Sequence, residues 1–440
     1  MSLVKGYSKL SKEEKLDWLI EHYFLGDQSI KEELRSYWHR DGNTQLRYDE
    51  FSENTLTNFY LPFGIAPNFL INGKDYALPM VIEESSVVAA MANTGKFWYD
   101  KGGFHTQIIS TEKIGQVHFL YFGNKEKLIA DFGNIKSYLI ENGAYLSVSM
   151  DARGGGLLDI ELVDLCAEEA GYYQLKASFE TCDSMGANFI NTMLEEYATL
   201  LKDYISKERG YDEGVQIIMS IVSNYTPQSI VRAWVECPIE KLGTVAGFTP
   251  QEFAQKIKMA VRIAELDPHR ATTHNKGIYN GIDALIIATG NDFRAVEACG
   301  HTYAARNGRY SSLTHCSIDN GIFKFWIDLP LAIGTVGGLT QLHPLVKRSH
   351  EILGNPDAKA LMEIVACAGL AQNFAALKAL TTVGIQQGHM KMHLLNILNH
   401  LEATEEERHF ALEYFKDKVV SYTTTRVMLE QYRSSKKKVN

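Results

Sequence analysis

The sequence predicts a largely helical domain that is interrupted by a smaller unit built from both strands and helices. Residues 1–50 and 225–380 carry mostly helical patterns, whereas 105–224 has strand-like and helical runs in the order β-α-β-β-α-β. This order is that of a ferredoxin-like split unit. Because it is not a series of βαβ repeats with an early G-x-G-x-x-G motif, a Rossmann domain is disfavoured.

The length of the chain, 440 residues, exceeds what one simple core needs and predicts two or three domains. We expect a discontinuous large domain over 1–104 and 225–380, an inserted domain over 105–224, and a C-terminal helical region over 381–440. A hydrophobic content of 45% and a charged content of 22% are ordinary for a soluble globular protein.

Several classes of protein are disfavoured. The N-terminus predicts an amphipathic helix with a capping box from Ser11 to Glu14 and not a signal peptide. Because no run approaches the ~18 apolar residues of a membrane helix, we expect a cytoplasmic protein with no membrane partner. A net charge of −9 argues against nucleic acid as a partner. The six cysteines show no C-x-x-C spacing, so free thiols are expected in place of disulfides or a metal site.

The first part of the large domain carries clear turn signals. Two apolar runs flank Asn72 and Gly73, which predicts a β-hairpin over 68–82. The following run, 84–103, predicts a helix with a serine cap that ends at a pair of glycines.

The second part of the large domain has three further signals. A hairpin is predicted around Asn320 and Gly321. Residues 331–344 form a glycine-rich loop whose backbone amides can approach an anion. Residues 355–382 are rich in small side chains, which suits close helix packing.

The stretch HNKGIYNGIDALIIATGNDFR, residues 274–294, sets Lys276 and Asp292 at the two ends of an apolar run. An exposed lysine is normally solvated. Gly277 and Gly281, however, would let a substrate come close, and a lysine beside an apolar wall can stabilise a developing oxyanion. Asp292 either caps the next helix, or pairs with a lysine or a second carboxyl group and so tunes their pKa values.

Three more places in the chain carry candidate functional residues. Glu83 and Glu84 lie where a strand passes into a helix; they either favour the helix dipole, or one of them is a buried general acid. His389 is either a structural or exposed histidine, or a mobile acid that protonates a departing thiolate. Gly186 opens a helix whose positive end suits a dinucleotide phosphate.

Several of these motifs together resemble one known family. DSMGANFIN, HNKGIYNGID, ATGNDFRA, TVGGLTQLHP and GHMKMH are similar to motifs of 3-hydroxy-3-methylglutaryl-CoA (HMG-CoA) reductase of the soluble bacterial type, class II, over about Glu53 to His393. The resemblance implies an α+β fold with a largely helical large domain, an inserted ferredoxin-like cofactor domain and a C-terminal helical flap. It also implies an obligate homodimer with active sites at the subunit interface, and room for a higher oligomer.

Roles for individual residues follow from matching the family's motifs. The catalytic residues implied by the resemblance are Glu84, Lys276, Asp292 and His389. Those implied for the substrate are Arg270 and Ser86, at the hydroxymethylglutaryl carboxylate, and Asn280, as a partner of Lys276. Those implied along the nicotinamide cofactor are Asp183, Met185, Gly186, Asn188 and Asn224. The family implies no metal.

The chain departs from the family pattern in three places. Thr57 stands where a glycine is usual, which puts nearby substrate contacts in doubt. The sequence Glu-Glu-Ser-Ser replaces Glu-Glu-Pro-Ser, which relaxes the backbone beside Glu84. Relatives that prefer NAD carry an acid near the position of Ser147, which is followed here by Arg153. This favours NADPH over NADH.

The implied reaction reduces HMG-CoA to mevalonate and coenzyme A with two NAD(P)H, through a hemithioacetal and an aldehyde. Lys276 would stabilise the oxyanion, His389 would protonate the thiolate, and Glu84 would donate the final proton. Asp292 would couple Lys276 to Glu84 electrostatically. Two alternatives stay open: the same enzyme working oxidatively on mevalonate with NAD, and a non-catalytic CoA-binding relative.

Overall fold

The computed structural model describes residues 4–207, 211, 213–382, 384, 394–416, 418 and 420–437. Within these residues the protein is a mixed α+β structure that consists mostly of helices, with strands that pair antiparallel in each sheet. It contains two large hydrophobic clusters, one for the inserted unit and one for the large domain, and a small cluster near the C-terminus.

The N-terminal region contains helices α1 (Lys12–Tyr23), α2 (Gln28–Ser36) and α3 (Gly42–Asp49) after a short 3₁₀ helix, Tyr7–Lys9. The capping box predicted at Ser11 and Glu14 is confirmed. Thr57 has a role that a glycine could not fill, because its hydroxyl donates to the carbonyl oxygen of Leu34 at 2.7 Å. Its side chain therefore ties the following segment to the end of α2.

The predicted hairpin is confirmed as β1 (Phe63–Ile71) paired with β2 (Lys74–Val81). Asn72 and Gly73 have φ values of 48° and 79°, as a two-residue type I′ turn requires.

The predicted helix after the hairpin is α4 (Val87–Tyr99). The prediction of a serine cap is wrong in its chemistry: Ser86 occupies the N-cap position with a left-handed φ of 73°, and its hydroxyl makes no capping hydrogen bond. At the other end, Gly103 has a φ of 74°, and a Cβ there would overlap Leu70. The chain therefore needs a glycine where it leaves this helix.

The sheet of the large domain has the order β3-β8-β10-β9. Its strands are β3 (His105–Ile108), β8 (Ile230–Pro238), β9 (Thr314–Asp319) and β10 (Ile322–Pro330). The hairpin predicted at Asn320 and Gly321 joins β9 to β10. The sequence placed residues 105–108 in the inserted unit, and this was wrong, because β3 pairs with β8.

The inserted unit begins at Lys113 and has the predicted element order. Its elements are β4 (Lys113–Leu120), α5 (Lys125–Gly143), the 3₁₀ helix Ala144–Leu146, α6 (Val148–Asp151), β5 (Gly156–Asp164), β6 (Tyr172–Glu180), α7 (Ala187–Lys207) and β7 (Gln216–Val222). The strands lie in the order β5-β6-β4-β7. Val117 and Phe119 alternate along β4 and pack with Leu194 of α7, so one face of this sheet is covered by helices.

The remaining helices of the large domain are α8 (Pro250–Leu266), α9 (Pro268–Ala288), α10 (Phe293–Ala304), α11 (Leu339–Leu342), α12 (Pro344–Ile352) and α13 (Ala358–Thr381), with the 3₁₀ helix Ile239–Leu242 before α8. The stretch 274–294 therefore covers most of α9, a turn at Gly290, and the start of α10. Its apolar run is the buried C-terminal part of a helix and not a strand.

Helix α13 lies in the core of the large domain. It is long and apolar enough to cross a membrane by length and composition, but most of it is buried inside the protein. A Cβ added at Gly369 would lie 2.9 Å from Ile282 of α9. The close packing predicted for this small-residue segment is therefore confirmed.

The C-terminal region forms its own small cluster. Residues 394–400 are helical, and two helices follow, Glu405–Tyr414 and Tyr422–Lys437. Leu398, Ala411 and Met428 bring the three segments together.

Candidate active site

Lys276 of α9 and Glu84, in the connection between β2 and α4, form an ion pair. The Lys276 Nζ to Glu84 Oε2 distance is 2.9 Å, and the two side chains are 63% and 42% exposed. The Asn280 amide, one helical turn after Lys276, donates to the same Glu84 oxygen at 3.4 Å. Lys276 and Glu84 are 192 positions apart in the sequence. The fold thus brings a cation, a carboxylate and an amide together at one solvent-accessible place.

Ser86 brings backbone strain to this place. A left-handed φ costs a non-glycine residue of the order of 1 kcal/mol or more, and such strain clusters at functional sites. Because the Ser86 hydroxyl does not cap α4, it is available to a ligand beside Glu84.

Arg270 lies in the first turn of α9, half-buried. Among the described residues its guanidinium has no hydrogen-bond acceptor and no carboxylate partner. Burial lowers the pKa of Arg270 because the charged form loses hydration. A guanidinium in this condition is suited to an anionic ligand.

Asp292 is the N-cap of α10, as the structural alternative predicts. Its carboxylate accepts from the backbone amides of Arg294 and Ala295 at 3.0 and 3.3 Å, and it pairs with the Arg294 guanidinium at 3.0 Å. Burial alone would raise the pKa of Asp292, but the hydrogen bonds from Arg294 and the backbone outweigh burial and hold it low. The structure does not bring Asp292 into contact with Lys276 or Glu84.

Gly281 has a different role from the one predicted. A Cβ at this position would lie 2.8 Å from the carbonyl oxygen of Ala368, so Gly281 allows α9 to pack on α13. Gly277 faces open space, with nothing within 4 Å of an added Cβ. His389 and its motif lie outside the described residues.

The connection between β6 and α7 carries Asp183, Met185 and Gly186, three of the residues predicted for a cofactor. Gly186 has a φ of 95°. In the part of the chain that the structure describes, the backbone amides of 187–189, which include that of Asn188, find no acceptor. The positive end of a 21-residue helix is therefore open to an anion.

The same connection contacts the glycine-rich loop and α13 closely. A Cβ at Gly334 would lie 2.5 Å from the Met185 amide nitrogen. The Thr335 amide donates to the Asp183 carbonyl oxygen at 2.9 Å, and the Asp183 carboxylate accepts from the Ala358 amide at 2.9 Å. The Asp183 side chain therefore satisfies the first amide of α13, a helix whose N-cap is Asp357.

A small cleft lies between the inserted unit and the large domain. Its walls include Met185 and Asn224 on one side and Ala295 and Cys299 on the other. Two residues predicted for the cofactor thus face the same space as α10.

Lys113, at the start of β4, also lines this cleft, and the sequence analysis missed it. It is 4% exposed, and its ammonium group donates to the Ser184 carbonyl oxygen at 3.0 Å and to the Thr181 hydroxyl. Burial lowers the pKa of Lys113 to about 8, opposed by the charges of Glu180, Cys182 and Asp183. Lys113 falls on the same face of β4 as Gly115, Val117 and Phe119, because every second residue of a strand points to one side. This spacing was the sequence signal that could have identified Lys113 as a buried lysine.

Ser147 precedes α6, and Arg153 follows it and contacts the β6–α7 connection. The Ser147 hydroxyl is buried and donates to the Asp151 carboxylate. Arg153 is exposed; its carbonyl oxygen accepts from the Cys182 thiol at 3.3 Å, and its guanidinium donates to the Ser149 carbonyl at 3.0 Å. The charge of Arg153 has no carboxylate partner within the described ranges.

Comparison with known proteins finds one family. The sequence model of the hydroxymethylglutaryl-coenzyme A reductase family matches residues 13–394. The 3-hydroxy-3-methylglutaryl-coenzyme A reductase of Archaeoglobus fulgidus is 37% identical over 435 residues, which cover 98% of this chain and 95% of that protein.

Solved structures of the class II enzyme from Streptococcus pneumoniae have the same fold. One, bound to NADPH in open conformations, is 36% identical, with a TM-score of 0.70 over 86% of this chain and 99% of that one. A second is 35% identical, with a TM-score of 0.71 over 97% of this chain and 99% of that one.

Proposed function

The chain belongs to the hydroxymethylglutaryl-coenzyme A reductase family, and from this premise we propose how its residues reduce HMG-CoA to mevalonate. The protein is an NAD(P)-dependent oxidoreductase of the mevalonate pathway. The observation that carries the proposed assignment is the Lys276–Glu84 ion pair, joined by Asn280, at an accessible place.

Lys276 is the electrophilic group of the proposed mechanism. When bound, the nicotinamide cofactor supplies hydride to the reacting carbonyl carbon. The carbonyl oxygen then gains negative charge, and the Lys276 ammonium stabilises that charge by proximity. Glu84, which accepts a hydrogen bond from the Lys276 ammonium, would relay a proton to this oxygen when the alcohol forms.

Arg270 and Ser86 are proposed to bind the far carboxylate of the substrate. The half-buried Arg270 guanidinium lacks an anion among the described residues, and the Ser86 hydroxyl makes no capping bond. A charge-assisted hydrogen bond to a carboxylate would satisfy both groups.

The residues of the β6–α7 connection fit a dinucleotide. The open amides of 187–189 suit its phosphates, and Met185 and Asn224 line the cleft beside them. The unneutralised Arg153 supports NADPH as the preferred cofactor, since a 2′-phosphate would complement its charge. NADH remains the competitor to test.

Closure of the site is part of the proposal. Lys276 and Glu84 are too exposed to exclude water alone, so a partner subunit and the C-terminal flap, residues 381–440, would have to cover them. His389 would protonate the coenzyme A thiolate from this flap, and Asp292 would act on Lys276 through space. Free thiols at all six cysteines suit a cytoplasmic location.

The test is the absorbance assay at 340 nm with HMG-CoA, run with NADPH and NADH in parallel. Lys276→Ala should lower kcat by about 10²-fold or more, because the oxyanion loses its cation. The matched control is Lys324→Ala, which removes a lysine from another exposed lysine–glutamate pair, Lys324–Glu236 at 3.2 Å. Wild-type turnover in Lys276→Ala would sink the assignment.

The two alternatives are separated by the same assay. Faster mevalonate oxidation with NAD than HMG-CoA reduction would indicate the degradative direction. Absence of turnover in both directions, with HMG-CoA still bound, would indicate a non-catalytic relative.

A further inference from the structure

The two residues immediately before Lys276 bury their polar side chains. His274 is 2% exposed and Asn275 is fully buried. Burying polar groups is unfavourable unless each finds a partner, and an apolar residue would pack at these places without that requirement. The partners of these side chains therefore show what the two residues fix.

Asn275 is bound by the backbone of the segment before β9. Its amide nitrogen donates to the Ser311 carbonyl oxygen at 2.9 Å, and its amide oxygen accepts from the Leu313 backbone amide at 3.1 Å. Both polar atoms of the Asn275 side chain are hydrogen-bonded, so the position of α9 along its axis is fixed relative to this segment.

His274 belongs to a closed ring that joins α9, β9 and α13. Its Nε2 lies 2.6 Å from the Thr314 hydroxyl oxygen, which donates to the Asn373 amide oxygen at 2.9 Å. The Asn373 amide nitrogen donates back to the His274 carbonyl oxygen at 3.1 Å. Thr314 and Asn373 are 0% and 1% exposed, so water does not compete for these bonds.

The ring fixes the tautomer of His274. Because Thr314 gives its single proton to Asn373, His274 must donate from Nε2, and the Nδ1 atom has no partner among the described residues. Burial, together with the charge of Arg270 one turn earlier, lowers the pKa of His274 to about 3. His274 is therefore neutral near pH 7, and protonation does not break the ring there.

We propose that Thr314 and Asn373 are positioning residues that act through His274 to set the rotation of α9 about its axis. This inference rests on the proposed function, in which α9 presents Arg270 to the substrate carboxylate and Lys276 to the reacting oxygen. Hydrogen bonds are directional, whereas apolar packing tolerates sliding. A rotation of about 10° moves the tip of a lysine by ~1 Å, and a misplacement of this size can cost about 10²-fold in rate.

The experiment compares Thr314→Val, Thr314→Ser and Asn373→Ala in the NADPH assay. Thr314→Val keeps the shape and removes the hydroxyl. We expect Thr314→Val and Asn373→Ala to lower kcat at least tenfold and to raise the KM for HMG-CoA, with the KM for NADPH unchanged. Thr314→Ser, which restores the hydroxyl, should return kcat to within about threefold of wild type.

The matched control is Thr94→Val. Thr94 is also buried, at 3% exposed, and its hydroxyl donates only within its own helix, to the Ala90 carbonyl oxygen at 3.0 Å. Thermal melting of every variant gives the folded fraction used to normalise kcat. The control should keep wild-type kcat even where its melting temperature falls.

Several results would overturn the proposal: a folded Thr314→Val with kcat within twofold of wild type, a Thr314→Ser as slow as Thr314→Val, or a parallel rise in the KM for NADPH. If Thr314→Val does not fold, Asn373→Ala and Thr314→Ser are judged by the same criteria. Lys276→Ala is assayed beside them. Full activity in Lys276→Ala contradicts the proposed function itself, whereas an inactive Lys276→Ala beside a fast Thr314→Val contradicts only the positioning role.

Discussion

Lys113 is a buried cation that lines the same cleft as Met185, close to the helix end proposed to bind the phosphates of the cofactor. It is held by the Ser184 carbonyl and the Thr181 hydroxyl, with no carboxylate paired to it among the described residues. An ammonium group that has lost water without gaining a full counter-charge is unfavourable to folding. A bound phosphate would supply the missing charge.

Lys113→Met is therefore expected to raise the KM for NADPH about tenfold, the loss of one charge-assisted contact. The pKa of Lys113 is lowered to about 8, so the wild-type lysine is charged below pH 8 and neutral above it. In the wild type the KM for NADPH should rise between pH 7 and 9, and in the variant it should stay high and flat. The measurement is the KM for NADPH as a function of pH.

The exposed Lys202 of α7 provides the control. Lys202→Met should leave the pH dependence of the wild type in place. An identical rise in KM for wild type and Lys113→Met would show that another group is responsible.

At the scale of single residues, the sequence located candidates but not their contacts. Asp292 was correctly given capping as one of its alternatives, because an aspartate before a helix has a local partner. The strained backbone of Ser86 was not foreseen, since it depends on how the strand β2 and the helix α4 are held apart by the rest of the domain. Local chemistry is predictable, and geometry imposed from a distance is not.

Helix α9 packs on α13 through glycines, and this close approach is an element-scale feature. An added Cβ at Gly281 would lie 2.7 Å from the methyl group of Met91 and 2.8 Å from the Ala368 carbonyl oxygen. A flexible methionine can move aside, but the backbone oxygen of α13 cannot move without shifting that helix.

Gly281→Ala is expected to lower the free energy of unfolding by about 1–3 kcal/mol through overpacking. Gly133 of α5 is the matched site, since an added Cβ there meets nothing within 4 Å. Gly133→Ala should raise the free energy of unfolding by up to ~1 kcal/mol, the difference in helix propensity. Urea unfolding of both variants measures this, and equal effects at the two sites would contradict the packing argument.

Elements were predictable where their signals are local. Asn-Gly pairs identified both hairpins, and a serine followed by a glutamate identified the start of α1. Strand β3 was assigned to the wrong unit because a four-residue strand reveals its partner only through pairing with β8, more than 120 residues away. The pairing partner of such a short strand is a non-local property that no nearby residue encodes.

For the whole molecule, two buried groups, His274 and Asp283, make opposite contributions to the pH dependence of stability. Burial lowers the pKa of His274 to about 3, against about 6.5 in an unfolded chain. The unfolded chain therefore binds a proton first as pH falls, and stability decreases between about pH 6.5 and 3. The opposite dependence comes from Asp283, one turn after Tyr279 on α9.

Burial, reinforced by the charge of Glu297 and a hydrogen bond to it, raises the pKa of Asp283 to about 8. The folded protein holds this proton up to about pH 8, whereas the unfolded chain releases it near pH 4. The contribution of Asp283 to the free energy of unfolding should therefore fall as pH rises between about 4 and 8, and above about pH 6.5 His274 no longer opposes it. Asp283→Asn should flatten this part of the profile, measured by urea unfolding from pH 5 to 8.

Glu297 of α10 and Tyr279 of α9 are the other titratable groups of this cluster, with Cys299 and Tyr310 beside Tyr279. Cys299→Ala, which removes a thiol from the same cluster but leaves the Asp283–Glu297 contact, serves as the control and should keep the slope. An unchanged slope in Asp283→Asn would mean that a different group titrates in this range.

The family and its reaction were predictable because the motifs, which carry the residues proposed to meet the substrate and the cofactor, are specific to that family. The changes in pattern near residues 105 and 225 predicted an interrupted large domain, but the strand that follows residue 104 pairs with β8 of the large domain. The hydrogen-bonded ring around His274 was not predictable from the sequence. Thr314 and Asn373 lie in no recognisable motif, and they meet only because α9, β9 and α13 pack together.

The bond between Asp183 and the first turn of α13 has a mechanical consequence. Helix α13 begins where it meets the connection proposed to bind the cofactor, and its 24 residues span about 36 Å. Its other end, Thr381, leads into the segment that carries His389. Helix α13 is thus a single rigid element between the connection proposed to bind the cofactor and the segment that carries His389, so a displacement of its first turn also displaces Thr381.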